Sequence, residues 1–157
     1  MSKTTPATLA LTRAGVAFRT LAYVYDPNAE SIGLQAAEAI GADPRRVLKT
    51  LMATVDGHPV CVVAPSDREI SMKKLAAAFG GKSAAMMKPA DAERLTGYKV
   101  GGISPFGQRK PAPTVIEERA LAETEVFVNG GQRGLQVALK PSDALAVLKA
   151  KAAAVVA

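Results

Sequence analysis

The chain holds a single cysteine, Cys61, so no disulfide can form within it, and a reducing compartment suits it. It holds a single histidine, His58, in the turn-like stretch DGHP, and nothing in the sequence has the spacing of a metal site around it. Tryptophan is absent and aromatic residues make up only 4%, so the core must be built from Leu, Val, Ile and Ala. No apolar run is long enough to span a membrane. The opening stretch MSKTTPATLALTRAGVAF is broken by Thr12, Arg13 and Gly15 and does not read as a signal peptide, so a soluble, cytoplasmic protein is expected. There is no GxSxG, no GxxxxGK[ST] and no GxGxxG at a strand–helix junction. AAFGGKS joins Gly81, Lys82 and Ser83 but lacks the upstream glycine of a phosphate loop, and it reads as a helix end. No helix carries a basic reading face, which argues against a DNA-binding regulator.

What is present suits one domain spanning residues 1–157, with 48% apolar residues and a formal net charge of +6. A sequence pI near 9.6 permits a polyanionic partner without requiring one. The charges are interspersed, with no basic tail.

The periodicity predicts short helices alternating with hairpins. PATLALTRA reads as a helix with Pro6 in its first turn, and FRTLAYVYD as a strand. SIGLQAAEAIG reads as a helix capped by Ser31 and stopped at Gly41, followed by a second start at Asp43-Pro44. Two apolar runs flank Asp56-Gly57, a strong hairpin signal. Helices are expected near 71–79 and 89–97, strands at SAAMMKP and TVIEE, and a second hairpin turning at Asn129-Gly130-Gly131. PSDALAVLKAKAAA reads as a final helix that frays into alanines. The order lacks a regular strand–helix–strand alternation, so the fold class is α+β around a mixed, barrel-like sheet with surrounding short helices.

Three places could carry chemistry. Lys49 stands between the basic DPRRVL and the apolar TLMATV, either as an exposed cationic stem or as a point charge for a phosphate or oxyanion. The stretch KVGGISPFGQRK places Gly101, Gly102, Pro105 and Gly107 within seven residues, either as a tight sheet corner or as a cradle of backbone N–H groups. NGGQRG, with Gly131 and Arg133, has the same character. Cys61, in VCVVA, reads as a small buried hydrophobe.

Taken together, four segments carry a resemblance: AAEAIGADPRRVLKTL, TVDGHPVCVVAP, LTGYKVGGISPFG and VNGGQRGLQVAL. In this order they resemble the YbaK/ProX family of trans-acting aminoacyl-tRNA editing deacylases, and the editing insertion of bacterial prolyl-tRNA synthetases. The match runs from about Ser31 to Lys149; the prefix Ser2 to Tyr25 also resembles the start of YbaK-type proteins. The resemblance implies hydrolysis of a mischarged aminoacyl ester, Cys-tRNA(Pro) foremost. An alanyl or seryl cargo, or a non-enzymatic tRNA- or synthetase-binding module, stays open. By the same resemblance Lys49, Gly101 and Gly102 are the catalytic residues. Ile103, Ser104, Pro105, Gly131 and Arg133 would bind substrate, and Arg45 and Arg46 would touch the tRNA backbone or simply form a solvated face. Neither metal nor organic cofactor is implied. The implied partners are the acceptor end of proline tRNA and, transiently, prolyl-tRNA synthetase.

Overall fold

The computed structural model describes residues 4–157; the first three residues of the expected domain and prefix lie outside them. The chain runs α1 (Pro6–Arg13), β1 (Arg19–Ala22), α2 (Ile32–Ile40), β2 (Val47–Val55), β3 (His58–Pro65), α3 (Met72–Ala78), β4 (Ala84–Met86), α4 (Pro89–Thr96), β5 (Thr114–Glu117), β6 (Val126–Asn129), β7 (Leu135–Leu139), α5 (Pro141–Leu148) and β8 (Lys151–Ala153). Short 3-10 turns at Pro44–Arg46 and Glu118–Ala122 fill two connections.

Local chemistry sets most boundaries. Ser31 and Ser71 accept the backbone N–H three residues on and start α2 and α3. Gly41 and Gly97 end α2 and α4 in the left-handed conformation. Asp56 and Gly57 both have positive φ, as a two-residue hairpin turn requires. The Asp56 carboxylate also accepts the N–H groups of Lys82 and Ser83, so the GKS stretch is an anchored helix exit.

The sheet is mixed, in the order β1-β7-β6-β2-β3-β5-β8, with β4 on β2. The β2–β3 hairpin is antiparallel, and it is flanked by parallel pairings of β2 with β6 and of β3 with β5. Successive residues of the central strands enter different cores. Leu48, Met52, Cys61, Val63, Ile116, Val126, Val128 and Val137 pack with Ala7, Leu11 and Phe106 on one face. On the other, Ala53, Val55, Val60, Val62 and Val115 pack with Leu75 and Ala76 of α3, and Val47, Phe127 and Ala138 pack with Ala36 and Ala37 of α2. β5, β6 and β7 are buried at every residue, which is why they read as apolar runs and not as alternations.

The alanine tail departs from expectation. The final helix stops at Leu148, and β8 pairs parallel with β5. The fully buried Glu117 carboxylate then accepts the N–H groups of Val155 and Val156 at 2.9 and 3.2 Å. Helix propensity in the alanines yields to these long-range partners. No helix among the described residues is long and apolar enough to cross a membrane.

Candidate active site

One stretch of β2 positions the site. β6 pairs with β2 at Val47 and Leu48, and β4 pairs with it at Ala53 to Val55. Between them this edge of β2 is left uncovered, and a cavity of about 350 Å³ opens there. Lys49 to Met52 form one wall; Val100, Gly101 and Ile103 form another. Ser31, Ile32 and Gly33, at the start of α2, close one end. A Cβ on Gly33 would lie 2.5 Å from the Ser66 hydroxyl and 3.7 Å from Lys49 Cβ, so a glycine lets α2 seat against Ser66 beside the lysine.

Lys49 is half-buried, and its Nζ donates to the Arg68 carbonyl. Burial pulls its pKa below the ordinary lysine value, and the nearby Glu69 and Asp67 oppose that shift. Among the described residues it has no carboxylate within ion-pair distance, so its charge is available to an anion.

The glycine loop is held by side chains. The Val100 N–H donates to Glu93 at 2.9 Å, Arg133 Nε donates to the Val100 carbonyl at 2.9 Å, and Asn129 Nδ2 donates to the Gly101 carbonyl at 3.1 Å. Gly101 has φ 93°, and a Cβ there would meet the Tyr25 hydroxyl at 2.5 Å. The Gly102 N–H is already committed to the Lys99 carbonyl at 2.8 Å. The N–H groups of Gly101 and Ile103, both on the cavity wall, have no acceptor among the described residues. The donors this loop can offer are therefore Gly101 and Ile103, where the sequence pointed to Gly101 and Gly102.

The remaining expected residues are not among those that line the cavity. Ser104 is fully buried; its hydroxyl accepts the Phe106 N–H and its carbonyl accepts Gln108 Nε2. Pro105 is buried and lines a separate small pocket together with Phe106, Ile116 and Val128. Gly131 donates to Asn129 Oδ1 at 2.7 Å and faces Tyr98, Ala7 and Thr5. Arg133 stacks over the Tyr25 ring at 5.4 Å and braces the loop from outside. Arg45 pairs with Glu123 at 3.3 Å, and Arg46 pairs with Glu125 at 3.7 Å and lies over Phe127.

Sequence reasoning missed Thr50, Asn129 and Gln136. All three line the cavity, and the buried Thr50 Oγ1 and Gln136 Oε1 have no hydrogen-bond partner among the described residues. A polar residue inside an otherwise apolar strand, as in LQVAL, was the available signal. Cys61 lies in the core with its thiol pushed up to about 12 by burial, which leaves it inert as a nucleophile. Among the described residues no cluster of three or more His, Cys, Asp or Glu side chains could hold a metal.

The family model of the aminoacyl-tRNA editing domain matches residues 26–147. The chain belongs to that family. It is 38% identical over 121 residues to EbsC of Enterococcus faecalis, described as a Cys-tRNA(Pro)/Cys-tRNA(Cys) deacylase; the match covers 76% of this chain and 71% of EbsC. It is 31% identical over 100 residues to the proline–tRNA ligase of Maridesulfovibrio salexigens, covering 64% of this chain but only 17% of the ligase. A solved structure described as a trans-editing enzyme for prolyl-tRNA synthetase shares the fold, with a TM-score of 0.82, 23% identity and 99% of each chain covered.

Proposed function

We propose that this protein hydrolyses the ester of mischarged Cys-tRNA(Pro) as a free-standing editing factor. The observation that carries the reading is the convergence of Lys49 and the Gly101–Ile103 loop, distant in sequence, on one cavity in a chain of the editing family. The cavity volume falls within the range of small-molecule sites. Its walls are largely apolar, with Val47, Leu51, Met52, Met86 and Ile103, and suit a small side chain ending in a thiol.

An aminoacyl ester is activated, and its leaving group is a ribose hydroxyl, so positioning and charge stabilisation supply most of the required catalysis. Lys49 holds the phosphate end of the terminal adenosine as a point charge, aided by the N-terminus of α2. The Gly101 and Ile103 N–H groups face the oxyanion that develops on the ester carbonyl. Among the described residues the cavity lining offers the hydroxyls of Ser31 and Thr50 but no His, Asp or Glu to activate them, which favours a nucleophile carried by the substrate. The substrate's own thiol serves: its sulfur attacks the carbonyl carbon and gives up its proton, the carbonyl–ribose C–O bond breaks, and the ribose oxygen takes a proton. The resulting thiolactone then hydrolyses in water.

The acceptor end of proline tRNA is the substrate, and prolyl-tRNA synthetase is a transient partner that supplies the tRNA selectivity a small domain lacks; both place the protein in the cytoplasm. Of the two arginines proposed for the tRNA backbone, Arg45 is the more available, with its side chain 62% exposed against 31% for Arg46. The deciding experiment is a deacylation panel of cysteinyl-, alanyl- and prolyl-tRNA(Pro), each with and without the synthetase. Preferential release of cysteine, enhanced by the synthetase, is expected. Preferential release of alanine would reassign the cargo, and no release from any ester would remove the enzymatic reading.

A further inference from the structure

The uncovered edge of β2 has a specific hydrogen-bonding character. The Ser66 N–H donates to the Val47 carbonyl, so Val47 and Ser66 form a hydrogen-bonded pair of the β2–β3 ladder. Antiparallel pairs alternate, so the N–H and C=O of Lys49, Leu51, Ala53 and Val55 also turn toward β3. The prolines of β3 agree with this phase: Pro65 and Pro59 lie opposite Leu48 and Thr54, where no bond across the hairpin is needed. Leu48, Thr50, Met52 and Thr54 therefore turn their main chain to the other side. There Leu48 is met by β6, Thr54 is met by β4, and the Met52 carbonyl accepts the Met87 N–H at 3.1 Å. Neither strand reaches Thr50. Among the described residues its N–H and C=O have no ladder partner and form an open rung beside the cavity that Thr50 lines, and its buried hydroxyl has no partner there either.

We infer that Thr50 is the docking site for the aminoacyl unit, which binds as a one-residue strand. In an aminoacyl ester the α-ammonium and the carbonyl flank one Cα, as the N–H and C=O of a residue do in a ladder. The ammonium donates to the Thr50 carbonyl, and the ester carbonyl accepts the Thr50 N–H. This pairing accounts for the unpaired main chain on β2 between the stretches covered by β6 and β4. It makes a free α-amino group part of the recognised substrate and sets the carbonyl between β2 and the glycine loop. The inference rests on the deacylase reading and adds to it the part of the protein that holds the amino acid.

The test uses the full chain and a non-hydrolysable probe, L-cysteine joined by an amide to 3′-amino-3′-deoxyadenosine. In the free protein the Thr50 amide exchanges with solvent faster than the ladder-bonded Leu51 amide. On titration with the probe, the Thr50 amide resonance shifts and becomes protected. A probe carrying 3-mercaptopropionate, which lacks the ammonium, binds about tenfold to a hundredfold more weakly, as expected for loss of a charge-assisted hydrogen bond. Replacing the residue-50 amide with an ester through its α-hydroxy acid analogue lowers deacylation about a hundredfold. The same replacement at residue 51 lowers the melting temperature instead. Wild-type turnover of Cys-tRNA(Pro) together with an unmoved Thr50 amide, or equal affinity for the two probes, overturns the docking while leaving the activity standing. Absence of turnover on every ester overturns the activity and the docking with it.

Discussion

Lys49 and Gly101 face the same cavity, but the strand that carries one and the loop that carries the other are held in different ways. β2 is fixed by the long hairpin ladder with β3, whose register is continuous from Leu48 to Val55. Its backbone is held by main-chain bonds and not by the side chain at residue 49, whose Nζ donates to the Arg68 carbonyl. The glycine loop has no ladder. It is held by Glu93, Asn129 and Arg133, by the packing of Tyr25, and by the missing Cβ atoms of its own glycines. A substitution on the strand wall can thus report on chemistry alone, whereas one on the loop wall reports on chemistry and architecture together.

The largest structural effect is expected at Gly102. A Cβ there would lie 2.8 Å from the Arg133 nitrogen and 3.0 Å from the Gln132 carbonyl carbon, both backbone atoms that cannot step aside. Gly102→Ala should cost about 2–3 kcal/mol, read by chemical denaturation, and most of the activity should go with it. Full stability in this variant would mean that the two loops are not pressed together.

Gly101→Ala follows. It combines a positive φ with a contact to the end of a movable tyrosine, so about 1–2 kcal/mol is expected, together with a strong loss of turnover. Pairing it with Tyr25→Ala should recover part of the stability without restoring turnover. Asn129→Ala should cost a similar amount, because its side chain holds the Gly101 carbonyl and caps the N–H groups of Gly131 and Gln132.

The contrast between the walls also explains what the sequence disclosed. Both hairpins, the Ser31 cap and the glycine stops were legible because each depends on neighbours within a few residues, such as Asp56-Gly57 or Ser31 with Leu34. Lys49 was legible because it stands between the basic DPRRVL and the apolar TLMATV, although the structure sets it inside β2 and not at a helix–strand boundary. Which amides of the glycine loop are free was not legible, since the fate of the Gly102 N–H depends on how the chain folds back onto Lys99. The burial of Ser104 and Pro105 was hidden for the same reason: their partners are Phe106, Gln108 and distant strands. The alanine tail misled because its composition favours a helix, while its actual partners, β5 and Glu117, lie far upstream.

A smaller effect is expected at Cys61. Cys61→Ala should cost about 1 kcal/mol and leave turnover within a few-fold, since the thiol is sealed in the core. Its titration gives a signed check. The folded thiol stays protonated up to about 12, whereas the unfolded one ionises near its ordinary value of 9.0. The unfolded state therefore holds fewer protons between these values, and stability falls as pH rises through the window. Denaturation midpoints measured across that range should fall less steeply for Cys61→Ala than for the parent.

The smallest structural effect and the most direct test of the account coincide at Lys49. The side chain is half-buried on a strand fixed by other residues, so Lys49→Ala should change stability by less than about 0.5 kcal/mol. Single-turnover deacylation of Cys-tRNA(Pro) at saturating protein should nevertheless fall at least about a hundredfold, and Lys49→Arg, which keeps the charge but changes its shape, should fall between the two. Near-parental single-turnover rates for a folded Lys49→Ala protein would contradict the account, because the cavity would then work without the one cation that the described residues place on its wall.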